Sequence, residues 1–177
     1  MTVSTAARPA ADEHIPYYGK YIALATESEA VAALEAQLED MLPFLRGLGE
    51  EQGTLRYAPG KWSIKEVIGH LIDSERVFAY RAMRIARADR TPLAGFDENT
   101  YVPAARFDRL TLKVLVDELE LVRRSNLAMF RGLDEDAWVR RGTANDNEVS
   151  VRALAFIIAG HGRHHVEILQ ERYLRGA

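Results

Sequence analysis

Apolar residues recur at three- and four-residue steps along four stretches of the chain, which is the spacing of one helix face. The first predicted helix runs from about Ser28 to Leu48, and the second from about Ser63 to Ala88. The third runs from about Thr111 to Leu133, and the fourth from about Ser150 to Leu174. Strand-like alternation is not evident in the sequence, so the pattern predicts an all-α fold, a four-helix bundle.

The segments outside these helices divide the chain into two parts. Residues 1–26, which Pro9 and Pro16 interrupt, predict an irregular N-terminal arm, and residues 27–177 predict a single bundle domain. The connection between the second and third helices, residues 89–109, is long for a bundle. Connections of this length are often functional or contain a short helix.

Composition narrows the functional class. The chain has 177 residues and no cysteine, which excludes disulfides, thiolate metal ligands and a cysteine nucleophile. Its net charge of −3 lacks the basic excess of nucleic-acid-binding domains, so we infer no nucleic-acid partner. No apolar run approaches the roughly 18 residues of a membrane span, and the N-terminus has no apolar signal region. We therefore expect a cytoplasmic protein without a membrane partner.

Two histidines occupy the inward face of the fourth helix. His161 and His165 continue an apolar stripe between Ile158 and Ile168, at steps of three, four and three residues. Their i, i+4 spacing lets one helix offer two nitrogens to one ion. A buried imidazole without a partner costs about 1–3 kcal/mol, which a shared metal ion would offset. Gly162 stands where an HExxH motif has its glutamate, so hydrogen-bonded core histidines remain an alternative.

The second helix supplies a third imidazole, His70, at the edge of its apolar face. Asp73, one turn further on, is placed to hydrogen-bond the far ring nitrogen of His70. His164 competes for a ligand role because it lies three residues after His161, but its helix row ends in polar residues and points outward.

Five arginines crowd the second helix and its end. The pattern favours a solvated, ion-paired face, with binding of an anionic cosubstrate or a partner as the alternative. These residues are Arg76, Arg81, Arg84, Arg87 and Arg90.

The residues around the histidines resemble a known family. Residues 60–76, which read GKWSIKEVIGHLIDSER, resemble the first signature of the DinB-like (DNA-damage-inducible) family, within the DinB/YfiT-like superfamily. Residues 150–165 resemble its second signature. The resemblance extends over nearly the whole chain after the arm. It implies an up-down-down-up bundle with a long connection between the second and third helices, often assembled as a homodimer.

The resemblance also implies a site. The family's ligands, one histidine in the second helix and an HxxxH pair in the fourth, fall on His70, His161 and His165. The implied cofactor is one divalent ion, nickel or zinc. Three neutral ligands leave at least one open position, as in catalytic rather than closed structural sites. The candidates for orienting the ligands are Asp73, Glu66, His164 and Glu167.

Two classes of enzyme fit an open metal site. Relatives in the superfamily transfer small thiols such as mycothiol or bacillithiol to electrophiles, and a chain without cysteine must take its thiolate from such a substrate. The other class is a hydrolase that uses metal-activated water. Two non-enzymatic alternatives remain: a metal-binding or stress-response interaction module without catalysis, and a helical interaction protein with buried histidines.

Overall fold

A computed structural model describes residues 6–175 of the chain, and these residues form helices joined by one small β-hairpin. The α-helices are α1 (Pro16–Leu24), α2 (Ala30–Arg46), α3 (Ile64–Ala86), α4 (Glu98–Ala105), α5 (Leu112–Arg131), α6 (Glu135–Val139) and α7 (Val151–Ile168). Within the described residues, no helix is long and apolar enough to cross a membrane.

Helices α2, α3, α5 and α7 form the predicted four-helix bundle, and contacts near their ends give their directions. Helix α2 is antiparallel to α5, α3 is parallel to α5, and α7 is antiparallel to α3, which is the up-down-down-up order. The contacts are Glu35 with Arg131 and Arg46 with Glu120 for α2 and α5, Ser63 with Asp108 for α3 and α5, and the Tyr173 hydroxyl with the Trp62 carbonyl oxygen for α7 and α3. The long connection between the second and third bundle helices contains α4.

The last bundle helix is shorter than predicted. Helix α7 ends at Ile168, and the chain continues as one π-helical turn, Leu169–Tyr173. From Val151 to Gly162, every residue of α7 except Arg152 is buried. This helix therefore lies at the centre of the fold.

The expectation of an irregular N-terminal arm is wrong for Pro16–Leu24, which forms α1. Proline suits the first turn of a helix, where its missing N–H would have no partner. Helix α1 lies directly on α7 at Gly160. A Cβ at this position would be only 1.8 Å from the carbonyl oxygen of Tyr21, so the close approach requires glycine. Residues 1–5 lie outside the described residues, and the division at residue 26 stays a prediction.

The expectation that strands are absent is wrong for a ten-residue segment before α7. Strands β1 (Arg141–Ala144) and β2 (Asn147–Ser150) pair as an antiparallel hairpin. The two turn residues, Asn145 and Asp146, have positive φ values of 51° and 60°. This is the backbone conformation of the two-residue turns that suit hairpins, and asparagine and aspartate tolerate it.

A buried ion pair joins three of the bundle helices. Arg123 of α5 donates hydrogen bonds from Nε and Nη2 to the two carboxylate oxygens of Glu75 in α3, at 2.7 and 3.0 Å. Its Nη1 donates to the side-chain oxygen of Gln37 in α2, at 2.6 Å. Arg123 is 1% exposed and Glu75 is 4% exposed, so both charges depend on each other for compensation.

The variant Glu75→Gln is expected to lower the free energy of unfolding by about 3 kcal/mol, because it leaves the Arg123 charge buried without its carboxylate. Urea denaturation measures this change. Glu35→Gln is the matched control, since Glu35 pairs with Arg131 at the surface and should cost less than about 1 kcal/mol. If Glu75→Gln and Glu35→Gln lowered the free energy of unfolding equally, the buried ion pair would not have this stabilising role.

Candidate metal centre

Three imidazoles meet inside the bundle, where α3 and α7 pack against each other. Nε2 of His161 lies 3.1 Å from Nε2 of His70 and 3.0 Å from Nε2 of His165. The three ligand nitrogens all lie within 4.8 Å of one another. Metal–nitrogen bonds of about 2.0–2.1 Å place two nitrogens on one ion about 2.8–3.4 Å apart. The two shorter separations therefore suit a shared ion.

Helix geometry and aromatic packing position these rings. His161 and His165 lie one turn apart on α7, and His70 reaches them from the antiparallel helix α3. The ring of Trp62 lies 4.9 Å from the ring of His70, and the ring of Tyr21 lies 5.2 Å from that of His161. Residues of α1 and of the loop before α3 therefore pack against the imidazoles, in addition to the bundle helices that carry them.

Burial keeps the three imidazoles neutral. It lowers the pKa of His70 to about 4. Burial, followed by the neighbouring histidines, lowers the pKa values of His161 and His165 well below the ordinary range. A neutral imidazole carries one N–H and one lone pair, and the lone pair is what a metal ion requires.

Ser74, rather than Asp73, contacts the far nitrogen of His70. The Ser74 hydroxyl oxygen lies 3.3 Å from Nδ1 of His70, so Nδ1–H can donate to it and leave Nε2 free as a ligand. Asp73 lies 3.9 Å from Arg76. Glu66 accepts a hydrogen bond from a backbone N–H at the start of α3, where it completes the helix cap.

Of the two further candidates on α7, only His164 is in contact with the converging imidazoles. The ring of His164 lies 5.3 Å from the rings of His165 and Tyr21, and it lines the same cavity. Glu167 is exposed on the surface of α7. Nδ1 of His165 is buried and has no hydrogen-bond partner among the described residues.

A cavity of about 260 Å³ opens over the three histidines. Its walls are largely aromatic and come from α1, from α3 and the loop just before it, and from the connection before α4. The aromatic residues are Tyr17, Tyr18, Tyr21, Trp62, Phe78 and Phe96. Trp62 and His165 also line a second cavity of about 250 Å³. Sequence reasoning missed the tyrosines of α1, although Tyr17 and Tyr21 share the i, i+4 spacing of one helix face.

Residues 33–169 match the DinB superfamily. The chain belongs to the DinB superfamily. A Bacillus licheniformis relative, provisionally named a metal-dependent hydrolase, is 31% identical over 126 residues, which cover 67% of this chain and 69% of the relative. The family assignment agrees with the resemblance that the two histidine-containing signatures indicate.

Two solved structures share the fold of this DinB-superfamily chain. YfiT from Bacillus subtilis, which is provisionally assigned as a metal-dependent hydrolase and has an unusual four-helix bundle topology, superposes with a TM-score of 0.70 at 17% identity. The match covers 99% of this chain and 98% of YfiT. A mycothiol-dependent maleylpyruvate isomerase superposes with a TM-score of 0.65 at 15% identity, over 77% of this chain and 58% of the isomerase.

The metal-free protein is expected to lose stability as the pH falls below about 6.5, the pKa of an unfolded histidine. Between that value and the folded pKa of about 4, the unfolded chain binds the proton that His70 excludes when folded. At about pH 5, His70 alone accounts for about 2 kcal/mol of this loss. Urea denaturation of chelator-treated wild type and His70→Asn, at about pH 7.5 and pH 5, measures it. If His70→Asn lost as much stability between these two pH values as wild type does, His70 would not be the source of the pH dependence.

Proposed function

We propose that this chain is a metal-dependent hydrolase that holds one divalent ion through His70, His161 and His165. The convergence of their Nε2 atoms, at 3.0 and 3.1 Å, is the observation that carries the proposal. The names of the Bacillus licheniformis relative and of YfiT support the same activity. Nitrogen ligands suit nickel or zinc, which we propose as the ion.

The ligand set suits a catalytic ion better than a structural one. Three histidines leave a position open, and the cavity of about 260 Å³ gives a small molecule access to it. Such an ion, when bound, acts as a Lewis acid and lowers the pKa of water to near neutral. The chain's own contribution is to present three neutral nitrogens, to fix His70 through Ser74, and to surround the substrate with aromatic walls.

Small-thiol transfer is the second candidate. It is favoured by the fold shared with a mycothiol-dependent isomerase. Because the chain has no cysteine, the thiolate in such a reaction would come from the substrate. Glu66, Asp73, His164 and Glu167 stay candidates for an orienting role, with His164 the best placed because it lines the cavity. From the family resemblance we also propose that the protein is a homodimer in the cytoplasm. Light scattering measures the mass of the assembly.

The wild type is expected to bind one divalent ion per chain, and His161→Ala is expected to lose it. Outer contacts to metal ligands contribute about 10–100-fold in affinity, so removal of a ligand should cost more. Calorimetric titration with zinc and with nickel, together with elemental analysis, measures both. His164→Ala is the matched control, since it removes a neighbouring imidazole from the same helix and should keep the ion. Stoichiometric binding by His161→Ala would refute the ligand assignment.

The metal-loaded protein is expected to hydrolyse substrates in a panel of small esters and amides. Chelation and His165→Ala should each abolish turnover, whereas His164→Ala should retain the ion. A parallel panel that pairs small thiols with electrophiles tests the second candidate. Activity confined to the thiol panel would replace hydrolysis by thiol transfer. Tight metal binding without turnover in either panel would favour the non-catalytic metal-binding module.

A further inference from the structure

A buried arginine side chain, that of Arg81, lines the cavity above the three histidines. Arg81 of α3 is 4% exposed and lines this cavity. Its Nη2 donates a hydrogen bond to the carbonyl oxygen of Ala94, at 2.7 Å, while its Nε is buried and has no partner among residues 6–175. A guanidinium has five N–H donors, so most of the hydrogen-bonding capacity of Arg81 is unused.

Arg81 differs from the other arginines of α3. Arg76 pairs with Glu118 and Arg84 pairs with Asp89. These two fit the ion-paired face that the sequence pattern favours. Within residues 6–175, no carboxylate forms an ion pair with Arg81, so this residue fits the alternative that the sequence pattern left open, binding of an anionic molecule.

The other deeply buried guanidinium of the bundle shows how this fold normally compensates such a charge. Arg123 forms two hydrogen bonds with the carboxylate of Glu75. Buried charges in proteins are paired or bound to ions, because their transfer from water is costly. Arg81 has a comparable burial, but among residues 6–175 its hydrogen-bond acceptor is the Ala94 carbonyl oxygen alone. Its charge therefore calls for an anion from outside the chain.

The surroundings of Arg81 hold its side chain at the cavity wall. Its guanidinium carbon lies 5.8 Å from the ring centre of Phe78 and 5.9 Å from that of Phe96. Burial raises the pKa of Tyr18, and the charge of Arg81 opposes that rise, which places the two side chains near each other. Glu98 also lines the cavity but does not come within ion-pair distance of Arg81.

We propose that Arg81 binds the carboxylate of a small organic acid whose apolar body lies against the aromatic walls of the cavity. A planar guanidinium matches a planar carboxylate, which favours this anion. Arg81 follows His70 by eleven residues (81 − 70) on α3, about 16 Å along the helix axis. The Arg81 guanidinium reaches back toward the imidazoles, because it lies 5.8 Å from the ring of Phe78, which lies 6.2 Å from the ring of His161. An acid held by Arg81 therefore occupies the same cavity as the proposed metal ion, and the inference rests on the proposed metal-dependent function.

The test compares an acid probe with its neutral analogue. The zinc-loaded full chain is titrated calorimetrically with 4-phenylbutanoate and with 4-phenylbutanamide. Wild type is expected to bind the acid more tightly, and Arg81→Met should weaken acid binding about tenfold or more while leaving amide binding unchanged. Arg76→Met is the matched control, because it removes an exposed arginine of the same helix, and it should leave both affinities unchanged.

Zinc content, measured on every variant, separates this inference from the proposed function. If wild type and Arg81→Met each hold one zinc ion and prefer the acid equally, the carboxylate binds elsewhere and the Arg81 assignment is overturned. Wild type that binds the acid no better than the amide overturns it as well. Failure of wild type to bind zinc refutes the proposed function instead. Should Arg81→Met not fold, Arg81→Gln is measured with the same expected loss.

Discussion

Helix α7 packs against α1, α2 and α3 at the same time, and small residues make this possible on two of its sides. A Cβ at Gly160 would lie 1.8 Å from the carbonyl oxygen of Tyr21 in α1. A Cβ at Gly162 would lie 2.5 Å from the amide nitrogen of Gln37 in α2. The remaining side carries His161 and His165 toward α3. The separation of the imidazoles, and the walls around them, depend on this close approach.

The same packing accounts for the departure from the HExxH pattern. Any side chain at Gly162 would meet Gln37, whose oxygen accepts a hydrogen bond from the buried Arg123. A glutamate between the two histidines would therefore disrupt the compensation of a buried charge. General-base chemistry of the HExxH kind is not available from this helix. Beside the three histidines, the titratable groups of the cavity include His164 and Glu98.

Helical periodicity was sufficient for the bundle and for the inward positions of His161 and His165, whereas the family resemblance added His70 to them. Sequence patterns were insufficient where the local structure depends on contacts between residues far apart in the chain. The nine residues of α1 carry too little periodicity to predict a helix, and the contact with Gly160 stabilises it. Asp73 and Ser74 both lie one turn from His70, but side chains in a helix lean toward its N-terminus, which brings the i+4 residue over the ring. The hairpin turn at Asn145 did carry a signal in its residue types.

The residues that the sequence predicted and those that it did not also differ in their place in the site. The three histidines lie on two long, tightly packed helices, so their relative positions are set by the bundle itself. Further walls of the cavity come from α1, from the connection before α4, where Phe96 lies, and from Glu98 at the start of α4. Surface connections tolerate substitution far better than packed helices do. Members of a superfamily can therefore keep one metal-binding framework while the cavity above it changes, which is why the shared fold by itself does not determine the substrate.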